Sequence, residues 1–175
     1  MSSMGFIQSD LDLKFLILYI MARTAGPITF LQLFDLALCD AGVDYFSLTQ
    51  AVDHMVETGQ LDRQENRLAI TDKGLRNSEI CQSSLPYSVR MRCDENLIQV
   101  NEALRREAQV QSSITTHDDG TCILHLRLDD VGSPLINLDL LVSDHTQAEE
   151  MAQRFQADPP AFYHAIIQLF RNSNG

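Results

Sequence analysis

Two helical hydrophobic patterns lie end to end between residues 29 and 59, and they restrict this chain more than any other feature. In the first, Thr29 stands ready to cap a helix through Leu31-Gln32-Leu33-Phe34-Asp35-Leu36-Ala37-Leu38. Ala41-Gly42 supplies its stop, with glycine expected to take the left-handed conformation. Asp44 caps the second helix, which runs from Tyr45 to about Thr58 and closes on Gly59. At about 100° per residue, Tyr45, Leu48, Val52, Met55 and Val56 share one face and are expected to be core. Two helices joined by so short a glycine-containing turn predict a helix-turn-helix.

The flanking segments extend that pattern. Upstream, Leu11, Phe15, Leu18 and Tyr19 recur at helical spacing, and Leu16 and Ile20 widen the stripe. Asp10 is the expected N-cap and Ala25-Gly26-Pro27 the stop. Downstream, Leu61-Asp62-Arg63 and Arg67-Leu68-Ala69-Ile70 flank the polar turn Gln64-Glu65-Asn66 and predict a hairpin. Thr71 then caps a further helix with Asp72 in its first turn, where a carboxylate suits the helix dipole. The order helix, helix, helix, hairpin, helix is that of a winged helix-turn-helix over residues 1–85.

After Ser83-Ser84-Leu85-Pro86 the character changes, and a domain boundary is expected there. A long helix runs from Pro86 through Val89, Cys93, Leu97, Val100 and Leu104 to near Ala108. Three strand patterns follow: the β-prone run Val110–Thr116, then Cys122, Leu124, Leu126 and Leu128, then Ile136, Leu138, Leu140 and Val142, the last two sets alternating with residues of another face. Asp118-Asp119-Gly120 makes the first turn and the segment 129–134 the second connection. Strict alternation predicts a three-stranded antiparallel sheet with one covered face. Asp144 caps a helix through Ala157, Pro159-Pro160 breaks it, and a last amphipathic helix carries Phe162, Ala165, Ile166, Leu169 and Phe170. The fold class expected is α+β: a winged helix-turn-helix (1–85), then a small α/β domain (86–175) with flanking helices that serves dimerisation or binding.

Composition limits the function. Apolar residues make up 45% and charged residues 21% of the 175, enough for a packed core with disorder only at the tips Met1–Gly5 and Asn172–Gly175. The net charge is −11, so the chain has no global basic field, and counterion release on DNA would have to come from a local cluster. Residues 1–85 alone hold six Lys/Arg against eleven Asp/Glu, a net of −5. The four cysteines, Cys39, Cys81, Cys93 and Cys122, form no C-x-x-C pair, so free thiols in a reducing cytoplasm are expected, with no zinc or dithiol chemistry. Leu11–Met21 is interrupted by Asp12 and Lys14 and is too short for a bilayer span. The histidines lack H-E-x-x-H spacing, a lone His125 on a strand is expected to be an ordinary surface or packed side chain, and no G-x-S-x-G or phosphate-binding glycine loop occurs. The expectation is a cytoplasmic non-enzyme with no cofactor and no metal.

Tyr45–Gln50 and Met55–Leu61, leading into Ile70-Thr71-Asp72-Lys73-Gly74, resemble the third helix, wing and fourth-helix start of PadR- and MarR-type regulators. Nearly the whole chain resembles the bacterial family called domain of unknown function 4364. The marks are Leu16–Ile20, Gly26-Pro27-Ile28-Thr29, Asp44-Tyr45-Phe46, Leu85-Pro86, Leu138-Asp139-Leu140 and Ala165-Ile166-Ile167. That resemblance implies a winged helix followed by a small α/β domain, regulator-like and without an established activity.

A DNA-binding regulator would read base edges with Ser47, Gln50 and His54 of the third helix, of which Gln50 suits a purine edge best. Arg63 and Arg67 on the wing, with Lys73 and Arg76 beyond it, would hold phosphates. Asp53 and Glu57 on the same helix oppose this, as does the absence of Lys or Arg between Arg23 and Arg63. Two functions follow from these residues: a homodimeric winged-helix transcriptional regulator, or an acidic winged-helix module that binds protein and not DNA. No membrane partner is expected.

Overall fold

The computed structural model describes residues 5–130 and 133–172. Most of the tips expected to be disordered, and Val131-Gly132 of the second strand connection, lie outside the described residues. The protein is α+β with two three-stranded antiparallel sheets. It divides into two compact units, Met1–Leu104 and Arg105–Gly175. The division falls inside a helix, about a score of residues beyond the 85/86 boundary expected from the linker.

In the first unit, helix α1 (Asp10–Met21) is capped by Ser9 and not by Asp10. The Ser9 hydroxyl accepts the Asp12 N–H at 3.1 Å while the Asp12 carboxylate accepts the Ser9 N–H at 3.2 Å. A cap at Asp10 would place Leu13 where the reciprocal acceptor is needed, so the capping box selects Ser9. Asp10 pairs instead with Lys14 one turn on. Seven consecutive-turn residues of α1, Leu13 and Leu16 to Met21, are buried, so the helix is apolar on nearly every side and sits at the centre of its unit. Leu11, expected on the inner stripe, is exposed.

Strand β1 (Ile28–Thr29) leads directly into α2 (Phe30–Ala37), where Thr29 and Gln32 form a second capping box. This helix ends at Ala37, well before Ala41-Gly42, and residues 38–44 connect it to α3 (Tyr45–Glu57). Gly42 is not left-handed: the positive-φ glycines among the described residues are Gly59 and Gly120. Glycine is required at 42 for space, because an added Cβ would lie 2.1 Å from the Ile7 carbonyl oxygen. The connection is held by the buried Asp40 carboxylate, which accepts the N–H groups of Phe6 (2.8 Å), Ile7 (3.2 Å) and Gly42 (2.9 Å). Arg92 lies 3.8 Å from the same carboxylate.

Asp44 caps α3 by accepting the Ser47 N–H at 2.9 Å, and Gly59 stops it at φ +71°. Leu48, Ala51, Val52 and Met55 are buried, and Val56 packs beside them. Tyr45, expected in the core, is 54% exposed and meets Phe30 and Phe34 edge-on, with ring centroids 5.2 and 5.4 Å apart. Strands β2 (Leu61–Gln64) and β3 (Arg67–Ile70) form the expected hairpin around a tighter turn, Glu65-Asn66. Glu65 takes φ +53°, a left-handed conformation that costs a non-glycine residue about 1 kcal/mol. The sequence did not reveal β1, which pairs with β3 through Ile28↔Leu68 and Thr29↔Arg67 to give the order β1-β3-β2. Helix α4 (Asp72–Cys81) starts on Thr71, as its sequence implies. The first part of α5 (Tyr87–Gln109) closes the core with Val89, Cys93, Leu97 and Leu104. Tyr19 of α1 donates its hydroxyl to Asp94 of α5 at 3.0 Å, and the Arg23 guanidinium stacks 3.6 Å from the Tyr19 ring centre.

The second unit orders β4 (Val110–Thr116), β5 (Cys122–Asp130) and β6 (Ser133–Val142) in sequence. Helices α6 (His145–Ala157) and α7 (Pro159–Asn172) complete it. Cys122, Leu124, Leu126, Leu128, Ile136 and Val142 form the inner face, against Ala148, Ala152 and Phe155 of α6. Pro159-Pro160 does end α6 but also opens α7, where proline lacks only an N–H that no turn would have used; Asp158 accepts the Ala161 N–H at 3.0 Å. Among the described residues, no helix is long and apolar enough to cross a membrane.

Burial by itself raises the Asp40 pKa, but the amides of Gly42, Phe6 and Ile7 and the nearby Arg92 outweigh it, leaving the carboxyl below its ordinary value. Its stabilisation is therefore full above the ordinary carboxylate range and is lost as pH falls through the folded pKa. Asp40→Asn, which faces an amide NH₂ towards backbone donors, is expected to cost about 2–3 kcal/mol in urea denaturation at neutral pH and to flatten the acid limb. In the second unit, Phe155 is fully buried and edge-on to Phe162 at 5.2 Å, so Phe155→Ala is expected to cost about 3–5 kcal/mol.

Candidate functional site

The exposed side of α3 and the β2–β3 hairpin face one another across an open cleft of about 370 Å³. Tyr45, Thr49 and Asp53 line it from the helix, and Arg63, Glu65 and Arg67 from the hairpin. The spacing of Tyr45, Thr49 and Asp53, one helical turn apart each time, puts them in a row down one side of α3. On β2 and β3, Arg63 and Leu68 are direct partners, so Arg63 is held opposite the strand that carries Arg67.

Each hairpin cation has an acceptor within the protein. Arg63 Nη2 donates to Asp53 Oδ1 at 2.8 Å, with both side chains about half exposed. Arg67 Nη1 donates to the Pro27 carbonyl at 3.0 Å and so ties β3 to the segment entering β1. Lys73 Nζ donates to the Thr58 carbonyl at 2.7 Å, a cation at the C-terminal end of α3 where the helix dipole favours it. Arg76 is exposed on α4. The carboxylate of Asp53, set against DNA contact in the sequence, is thus partly neutralised by the arginine expected to grip a phosphate.

Of the three third-helix residues expected to read bases, the arginine cleft takes in none. Ser47 and Gln50 line a smaller depression of about 270 Å³ with Ser9 and Asp10 at the start of α1, not the cleft that holds Arg63 and Arg67. Ser47 is half-buried, whereas Gln50 and His54 are exposed. Thr49 and Asp53 join the arginine cleft in their stead. Phe46, on the same outer side of α3, is 69% exposed.

The outer face of the second sheet holds an arrangement the sequence conceals. His125 Nδ1 lies 2.7 Å from Asp139 Oδ1, and its Nε2 lies 3.1 Å from Thr115 Oγ1. The three residues come from three strands, with His125 directly opposite Asp139 in register. Alternation put His125 and Asp139 on outward faces of their own strands, but only the register brings them together and adds Thr115. The face is shallow and open, and it is continued by Ser113, Arg127 and Asn137. Ile123 and Leu141, the apolar exceptions on these faces, are cross-strand partners, and Leu141 is 72% exposed. Among the described residues, no group of three or more His, Cys, Asp or Glu is placed to hold a metal ion.

A family model described as domain of unknown function (DUF4364) matches residues 13–170. The chain belongs to that family. The DUF4364 match takes in both units and the whole of the arginine cleft, so cleft and polar sheet face are parts of one family domain. Neither the comparison with curated proteins nor that with solved structures gave a match.

The Arg63–Asp53 pair is a solvent-exposed ion pair, which contributes little to folding. Arg63→Ala is expected to change unfolding free energy by less than about 1 kcal/mol in urea titration. A larger loss would mean that the pair holds the hairpin in place and is not a free binding group.

Proposed function

We propose that the first unit is a winged helix-turn-helix and that the protein is a DNA-binding transcriptional regulator acting as a homodimer. The observation that carries this reading is the pairing of β1 with β3 beside the hairpin that follows α3. In a winged helix, such a short strand before the second helix joins the wing to the helical core. It leaves the outer side of the third helix open beside the wing.

In this reading Arg63 and Arg67 contact phosphates, with Lys73 and Arg76 adding charge behind the wing, while Gln50, His54 and Ser47 address base edges. Binding exchanges the internal partners of the arginines for phosphate oxygens. The exchange is inexpensive for Arg63 because its pair with Asp53 is exposed. The second unit supplies the dimer contact: Phe170 of α7 is 77% and Leu141 of β6 72% exposed, apolar surface of the kind that partner chains cover. A twofold dimer would present its third helices to successive major grooves about 34 Å apart. No catalytic role is proposed.

A second reading is favoured by a specific observation. Phe46 is exposed on an α3 surface that also carries Asp53 and Glu57, and the chain is strongly acidic. Such a surface suits a protein partner with apolar and basic groups.

Fluorescence anisotropy on genomic fragments at low and moderate salt separates the two. The regulator reading expects binding that weakens with salt. It also expects a loss of about threefold to tenfold for Arg63→Ala or Arg67→Ala, as one phosphate contact each. Asp53→Asn, which releases Arg63 and removes a repelling charge, is expected to tighten binding by a similar factor. Absence of binding at low salt sinks the regulator and leaves the protein-binding module. Light scattering should give twice 19.7 kDa for the dimer.

A further inference from the structure

The four cysteines look unrelated in the sequence, yet two of them meet. Cys39 lies two residues beyond the end of α2, Cys93 lies in α5, and their sulfurs are 2.8 Å apart although 54 residues separate them. Both belong to the core of the first unit, Cys93 fully buried and Cys39 8% exposed. A disulfide requires about 2.05 Å between sulfurs, so closing the bond needs less than an ångström of movement in side chains already facing each other. Among the described residues, Cys81 and Cys122 have no such neighbour, and Cys122 lies in the core of the other unit.

We propose that Cys39 and Cys93 are a redox modification site that forms a reversible intramolecular disulfide with a small hydroperoxide as oxidant. Cys39 is the attacking sulfur. It is the more accessible of the two, and the Cys93 thiol hydrogen-bonds to it, which lowers the Cys39 pKa; Arg92 nearby acts in the same direction. The same contact, with burial, pushes the Cys93 thiol up, so Cys93 keeps its proton while Cys39 reacts. The Cys39 thiolate attacks the terminal hydroxyl oxygen of the hydroperoxide, the O–O bond breaks, and hydroxide (or the alkoxide of an organic hydroperoxide) leaves and takes up a proton, giving a sulfenic acid on Cys39. The Cys93 sulfur then attacks the Cys39 sulfur, its proton goes to the departing hydroxyl, and water leaves. Two thiols are oxidised to one disulfide, and one hydroperoxide is reduced to two waters or to water and an alcohol. A dithiol reductant reverses the bond.

The bridge would enclose residues 39–93, the stretch that contains α3, the hairpin and α4, and with them the whole arginine cleft apart from Phe30. It would also fasten the connection organised by Asp40 to α5, one residue from Arg92, the cation that faces Asp40. Cytosolic disulfides of this transient kind serve redox sensing, and they differ from the permanent staples of secreted domains. The bridge needs only the facing sulfurs and the environment of Cys39, and forms whether or not the cleft binds DNA.

The experiment treats the native full chain with a few equivalents of hydrogen peroxide, then denatures and alkylates it with N-ethylmaleimide for intact-mass and peptide analysis. The expected result is a fall from four alkylated thiols to two, with a peptide cross-linked through Cys39 and Cys93 that dithiothreitol releases. Cys81→Ser and Cys122→Ser should leave the cross-link in place, and Cys39→Ser or Cys93→Ser should abolish it. Closing a loop of this length should also raise Tm by about 10 °C, reversed by reductant. Four alkylated thiols after treatment, a cross-link between other cysteines, or oxidation of Cys39 that stops at the sulfinic acid overturns the proposal. The mapping on the unsubstituted chain decides the matter even if a serine variant fails to fold.

Discussion

From Leu13 to Met21, α1 offers almost no polar side to water, so the other elements of the first unit have to enclose it. Leu33 and Leu36 of α2, Leu48 and Met55 of α3 and Leu68 of β3 bury their side chains in the same core, and the front part of α5 adds Val89 to Leu104. A helix wet on one face could be satisfied by a single neighbour. One that is apolar all round requires a shell, and the shell determines where α3 and the hairpin lie. The cleft between Tyr45, Asp53, Arg63 and Arg67 is a consequence of that enclosure, since the residues lining it are what α3 and the hairpin have left after their inner faces are committed.

Polar groups fix the geometry that apolar burial leaves loose. The Asp40 carboxylate gathers one amide of the α2–α3 connection, that of Gly42, and two of the segment before α1, those of Phe6 and Ile7, and so ties the two segments together where no helix or strand could satisfy these groups. The Tyr19–Asp94 hydrogen bond locks α5 against α1, and the two capping boxes set where α1 and α2 begin. Lys73 and Arg67 act likewise at the edge of the proposed interface, each on a backbone carbonyl. This explains why counting cations in the sequence overstates what a phosphate would meet. Part of the positive charge in the hairpin region is already answered by Asp53 and by carbonyl oxygens.

The second unit is simpler in its physics. Strict alternation divides β4, β5 and β6 into an inner face that packs on α6 and an outer face that is mostly polar. The outer face nevertheless carries the Thr115–His125–Asp139 string, a chain of hydrogen bonds that orients the imidazole. It differs from the arginine cleft in character, being flatter and built on strands whose register is pinned by the buried side.

What could be read directly from the residues was whatever depends on neighbours in the chain. The caps at Thr29, Asp44, Thr71 and Asp144, the extents of β4 and α6, the glycine stop at 59 and the α+β class all follow from short-range chemistry and periodicity. Readings failed where the outcome depended on distant partners. Gly42 looked like a left-handed stop, but it is set by crowding against Ile7; Tyr45 lay on the inner face by angle, but Phe30 and Phe34 hold it at the rim. A two-residue strand such as β1 has no period to detect and exists only because β3 offers it hydrogen-bond partners. The regrouping of Asp53 with Arg63, of Gln50 with the start of α1, and of Cys39 with Cys93 belongs to the tertiary structure for the same reason. Periodicity assigns a residue to a face, and only packing of whole elements decides which faces meet.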